Sequence, residues 1–327
     1  MSLDLSYNNI SEIEVTFFEP VQNDLKVLNL SRNVLAEISP DNIGQLRRLR
    51  NIDLSHNRIN LIEPTTFMAA RKLLSVRLDH NRLKSVNPTL FNSQKLLQYA
   101  DLSHNNLEAL PEQLFQRTSL EICKASHNRL TEIPIKALNP VQSTLKYLDL
   151  SGNDITTISD SQLNQIQMLV FLDLSDNAIS TIDAEAFCCV PNLQHLNLAL
   201  NPLLRIKPDT FHGVHAHLQS LNVANTSLTL LPNFQLPALK SLNVSSNQLT
   251  FVPPNTLENL AEVRELDLSS NELPSPPSSA WHNMHHLRVL HLAGNPVNKV
   301  MNDSFVGLKH LEHLDISSIQ AKSFQVS

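Results

Sequence analysis

Four histidines, His56, His80, His104 and His127, recur at steps of 24, 24 and 23 residues, each directly before an asparagine. Two of them close an acid–hydroxyl–imidazole set: Asp53, Ser55 and His56, then Asp101, Ser103 and His104. Such residues support two chemistries. Neutral imidazoles with a nearby carboxylate hold zinc, and an acid, a base and a hydroxyl make a hydrolytic triad. Neither fits the spacing. A catalytic site is single, whereas this set repeats, and no strained nucleophile turn surrounds either serine. A histidine at the end of each repeated segment reads instead as an exposed polar residue. The expectation is therefore no metal, no cofactor and no enzyme. If the segments lie side by side, imidazoles about 5 Å apart resist joint protonation, and the column titrates near neutral pH.

The element that positions these residues is a repeat. Leu25–Leu35 has the form LxxLxLxxNxL, and the pattern recurs along all 327 residues. Its asparagine position falls at 8, 33, 57, 81, 105, 128, 153, 177, 201, 226, 247, 271, 295 and 319. The steps are 23 to 25 residues, apart from one of 21 after Thr226. Within each repeat, LxL is a short strand whose leucines point one way and whose x residues point the other. Successive strands pair in parallel, and stacking buries a leucine face that no repeat can bury alone. Asn33, Asn57, Asn81, Asn105, Asn128, Asn153, Asn177, Asn201, Asn247, Asn271 and Asn295 form an inward ladder, their amides satisfying backbone groups where the chain turns. Thr226 can still hydrogen-bond there; Ile319 cannot.

A second apolar column lies ten residues after the asparagine and includes Phe18, Phe67, Phe91, Phe115, Phe187, Phe211 and Trp281, with Phe234 displaced in the short repeat. These rings are expected to stack beneath the returning side. On the opposite face, five successive repeats place Tyr99, Ile122, Tyr147, Phe171 and His195 at one strand position. Large side chains on a solvated sheet are the hallmark of a contact surface, so this stripe is the candidate partner-binding site. The other charges on that face are mixed in sign, with a slight acidic excess.

The LxxLxLxxNxL array resembles the leucine-rich repeat family over essentially the whole chain. The 24-residue period with its phenylalanine column is similar to that family's typical extracellular class, and within it to chaoptin-like adhesion proteins more than to Toll-type receptors. The resemblance implies an α/β repeat solenoid: a leucine-rich repeat horseshoe with a concave parallel β-sheet and irregular or 3-10 convex loops. It also implies extracellular protein–protein recognition, as a cell-surface adhesion protein or receptor ectodomain that binds a protein ligand or a second copy of itself. An intracellular scaffold or inhibitor that wraps a partner is the alternative. Residues 1–327 are read as one solenoid of about fourteen repeats. Extracellular members usually carry cysteine-rich caps, so the chain is expected to be uncapped at both ends and a piece of a longer protein.

Composition narrows the remaining classes. A net charge of −6 does not suit nucleic acid, and five scattered glycines cannot build a phosphate loop. No apolar run of membrane-spanning length occurs, so no membrane insertion is expected within this segment, and any anchor would lie outside it. Three cysteines are too few for a disulfide scaffold, and the adjacent Cys188 and Cys189 are expected to be a poor geometric match. Glycosylation sequons stand at Asn9, Asn29, Asn225, Asn243 and Asn302.

Overall fold

Alternation of apolar and polar residues over three positions is enough to set one strand per repeat. The computed structural model describes residues 1–321 except Ser161, Asn164, Leu204 and Pro208, together with the backbone of Phe324–Gln325. Two compact units are present: residues 1–155 with 165–169, and residues 156–164 with 170–327. In the first, the strands Ser2–Asp4, Val27–Asn29, Asn51–Asp53, Ser75–Arg77, Tyr99–Asp101, Ile122–Lys124 and Tyr147–Asp149 pair in parallel, in chain order. In the second, Phe171–Asp173, His195–Asn197, Ser220–Asn222, Ser241–Asn243, Glu265–Asp267, Val289–His291 and His313–Asp315 do the same. This is the leucine-rich repeat solenoid.

Register keeps like beside like. The central residue of each strand points into the core, so Leu28, Ile52, Val76, Ala100, Cys123 and Leu148 form one buried row. Each large member of such a row contributes about 1.5–3 kcal/mol by leaving water. Beneath it the aromatic column is closed: Phe67, Phe91 and Phe115 stack at centroid spacings of 6.0 and 6.1 Å. Phe187, Phe211 and Phe234 follow at 5.7 Å each. Trp281 continues the column and donates its indole N–H to the Ser304 carbonyl at 2.9 Å.

The return segments are mostly turns. They contain short helices at Pro40–Ile43 and Ile135–Leu138, and 3-10 turns at Asn139–Val141, His212–Val214 and Ser278–Asn283. Two-residue strands pair on this side between neighbouring repeats, as in Glu37–Ile38 with Leu61–Ile62.

The asparagine ladder joins the two sides. Asn105 Nδ2 donates to the carbonyls of Leu78, Leu102 and Ser103 at 3.0, 3.0 and 3.1 Å, and its Oδ1 accepts from Leu83 N–H at 3.0 Å. One side chain thereby satisfies groups in two repeats. At the short repeat, Thr226 Oγ1 donates to Val223 O at 2.8 Å and to Asn247 Oδ1 at 3.1 Å. Asn247 Oδ1 also accepts Thr226 N–H and Leu228 N–H, both at 3.0 Å, so one amide oxygen serves the turn that Thr226 cannot reach.

Candidate functional site

Each strand ends in a sharp turn, and the residue before the ladder position takes a left-handed conformation there. The fourteen residues include Tyr7, Arg32, His56, His80, His104, His127, Gly152 and Asp176, with φ between 50° and 69°. Their N–H groups reach the next repeat, as in His56 to Asp79 O at 2.9 Å and His104 to Ser126 O at 2.8 Å. A non-glycine residue in this region costs roughly 1–2 kcal/mol, which the ladder bonds offset. Because the backbone aims each of these side chains the same way, successive imidazoles meet face to face. His56, His80, His104 and His127 stack at 4.0, 4.0 and 4.3 Å. Before them, the Arg32 guanidinium lies 5.0 Å over the Tyr7 ring.

The acids beside this column have structural work that the sequence reading missed. In eleven strands the last residue is Asp or Asn, and its Oδ1 accepts the N–H two residues on, as in Asp53–Ser55 and Asp173–Ser175, both at 2.9 Å. The signal was present as a repeated Asp/Asn–x–Ser/Ala, the spacing of an Asx turn. It also removes the triad. Ser55 Oγ donates to Asp53 at 2.6 Å, and Ser103 Oγ is buried without a hydrogen-bond partner. The imidazoles stack on one another, so no base is set against either hydroxyl.

The fourth repeat reverses the charge. Arg77 occupies the strand-end position and Asp79 the serine position, 3.3 Å apart, and Asp79 also meets His80 Nδ1 at 3.1 Å. His56, Asp79 and His80 form the one group, among the described residues, whose donor atoms all lie within 4.8 Å. The geometry suits a metal poorly. Ligand lone pairs lie in the ring plane, and these planes are 22° from parallel at 4.0 Å. An ion shared by both rings would stand about 2 Å out of each plane, nearly the whole length of a zinc–nitrogen bond. Asp79 is already held by Arg77. His56 and His104 titrate below the ordinary value of 6.5, first because they are partly buried and then because neighbouring imidazoles oppose their charge.

The aromatic stripe lies on the open face of the sheet. In the first unit Tyr99, Ile122 and Tyr147 are direct cross-strand neighbours, each half-buried. Tyr99 Oη donates to Asp101 Oδ2 at 3.0 Å, and Lys124 Nζ stands 5.8 Å over the Tyr147 ring. Burial and the Asp101 charge push the Tyr99 phenol far above its usual range, so it remains a neutral donor. In the second unit half-buried Phe171 pairs with exposed His195, their rings 6.2 Å apart. Among the sequons, Asn9, Asn225 and Asn302 are exposed, while Asn29 and Asn243 are half-buried on the sheet face. No helix of the described residues is long and apolar enough to cross a membrane.

Adjacency of Cys188 and Cys189 did not hold their sulfurs apart. The two Sγ atoms are 2.8 Å from each other, although the Cα atoms of adjacent residues, about 3.8 Å apart, remain a poor geometric match for a disulfide. Both side chains leave the turn on its outer side, Cys188 exposed and Cys189 partly so.

Comparison with known proteins agrees with this architecture. The family described as "Leucine rich repeat" matches residues 1–68, 71–130, 125–179, 143–203 and 216–273. The chain is 49% identical to chaoptin of Tribolium castaneum over 243 residues, 73% of this chain and 31% of that protein. It is 43% identical to chaoptin of Drosophila melanogaster over 264 residues, 80% of this chain and 20% of that one. The chain thus spans between a fifth and a third of the length of these relatives. Toll in its complex with Spatzle superposes with a TM-score of 0.83 at 20% identity, covering 100% of this chain and 46% of Toll. A leucine-rich repeat protein of Leptospira interrogans gives 0.74 at 24% identity, covering 99% and 90%. With repeat matches along most of its length and a ladder asparagine in nearly every turn, the chain belongs to the leucine-rich repeat family.

Proposed function

We propose that the chain is a non-enzymatic recognition segment of an extracellular, chaoptin-like adhesion protein, and that it binds a protein ligand or a second copy of itself through the open face of its sheet. The observation that carries this reading is the set of half-buried side chains Tyr99, Ile122 and Tyr147, in register on three adjacent strands. Rings fixed on a rigid sheet lose little freedom on contact and cover much area. In the second unit Phe171 and His195 occupy the corresponding strand position. Similarity to two insect chaoptins supports adhesion over an intracellular scaffold.

Two measurements test it. Beads coated with the chain are scored for self-aggregation and for capture of extracellular domains displayed in a panel. Tyr99→Ala, Tyr147→Ala and Phe171→Ala should each weaken the interaction found by about 1–3 kcal/mol, whereas Gln116→Ala, exposed on the return side, should not. Undiminished binding after removal of all three rings overturns the choice of face. Expression through a secretory pathway should add glycosidase-sensitive mass at Asn9, Asn225 or Asn302. Misfolding there, with clean folding in the cytosol, would favour the scaffold.

A further inference from the structure

The return segment of the eighth repeat carries Cys188 and Cys189 in a turn over residues 184–189. Their sulfurs lie 2.8 Å apart in an S–H···S contact, less than about 1 Å beyond a covalent bond of ~2.05 Å. The fold holds the backbone of this turn from both sides. Phe187 is fully buried in the aromatic column, 5.7 Å from Phe211, and Cys188 N–H donates to Glu185 O at 3.0 Å. From the next repeat, Gly213 packs so closely on the Cys188 backbone that a Cβ there would overlap the Cys188 Cα and the Phe187 carbonyl. The backbone is clamped while both sulfurs stay outside it. The third cysteine, Cys123, is buried in the strand row and plays no part.

We propose that Cys188 and Cys189 are a reversible redox modification site, oxidised by a low-molecular-weight disulfide to an intramolecular bond between adjacent residues. One cysteine thiolate attacks the disulfide and expels the first small thiolate, leaving a mixed disulfide. The neighbouring sulfur then attacks the protein-side sulfur and expels the second. The protein gives up two protons and two electrons, and both small thiols leave reduced. The Cα atoms of adjacent residues are about 3.8 Å apart across a trans peptide, below the usual range for disulfides, so the ring is strained and easily reopened. That makes the site a switch rather than a brace. The Cys188 thiol is pushed up to about 11, chiefly by its hydrogen bond with Cys189, so exchange should quicken as pH rises.

The full chain is reduced, freed of reductant, incubated with excess oxidised glutathione, blocked with N-ethylmaleimide and mapped by peptide mass spectrometry. The peptide holding both residues should lose the mass of two hydrogen atoms, take no maleimide, and recover two labels after dithiothreitol. C188S and C189S should each carry one glutathione instead, with circular dichroism matching the parent. The proposal is overturned if the parent peptide retains glutathione, if it cross-links to a second chain, or if both thiols stay open to maleimide under conditions that modify C188S.

Discussion

The imidazole of His127 lies directly over Gly152, so closely that a Cβ on Gly152 would overlap its ring. The histidine column therefore ends where a glycine leaves room for its last ring. Gly152 also sits at a φ of +64°, so two costs meet at one position. Gly152→Ala should destabilise by at least the roughly 1–2 kcal/mol of a left-handed alanine. In a His127→Ala background the overlap disappears and the penalty should shrink to the backbone part. A denaturant double-mutant cycle measures the difference; equal penalties in both backgrounds would mean that the ring contact carries no energy.

Asn105→Leu should cost about 1–3 kcal/mol, because the Leu83 N–H and the carbonyls of Leu78 and Leu102 lose a partner in a buried turn. Equilibrium urea unfolding reads the change. Stability unaltered by the leucine would remove the ladder as a source of cohesion.

Acid should weaken the fold before its carboxylates titrate. His56 and His104 bind protons less readily folded than unfolded. As pH falls through the ordinary 6.5, the unfolded chain takes up protons first, so stability drops between that value and the lower folded ones and is level above about 7. Asp53 and Asp79 oppose the shift at His56, while Arg32 and His80 reinforce it. A double variant, His56→Asn with His104→Asn, removes both titrations while tolerating the left-handed backbone. Its melting temperature should change less between pH 7.5 and 5.5 than that of the parent; identical slopes would place the titration elsewhere.

Zinc should not bind tightly. Calorimetry near neutral pH is expected to show no stoichiometric heat, since the stacked rings direct their lone pairs alongside one another. Sub-micromolar binding that disappears in His56→Ala with His80→Ala would show that the stack opens to admit an ion.

Much of this was legible as periodicity. Leucine and asparagine at a fixed phase specify the strand, the core row and the ladder, because each follows from burial and from unpaired backbone groups. The positions of His56 to His127 were visible too, but their stacking depends on a left-handed φ that no residue-type pattern announces, since histidine, serine, glycine and leucine all occupy it. Asp53 and Asp173 read as surface charge because composition cannot distinguish a solvated carboxylate from one bound to an N–H two residues on. Gly213, 25 residues further along, packs on the Cys188 backbone, and a local reading does not reach that far.

The reach of the ladder bears on how the chain assembles. Asn105 is bonded to Leu78 and Leu83, 27 and 22 residues earlier, and the same separations recur at Asn81 and Asn271. Loop-closure entropy is thus the same modest toll at each step, however long the array. Folding should then resemble a zipper, with a slow start and quick one-repeat additions, and a rate little affected by total length. The step at Thr226 is where the zipper should hesitate, because there the Asn247 oxygen alone takes the Thr226 N–H and hydroxyl in addition to the Leu228 N–H.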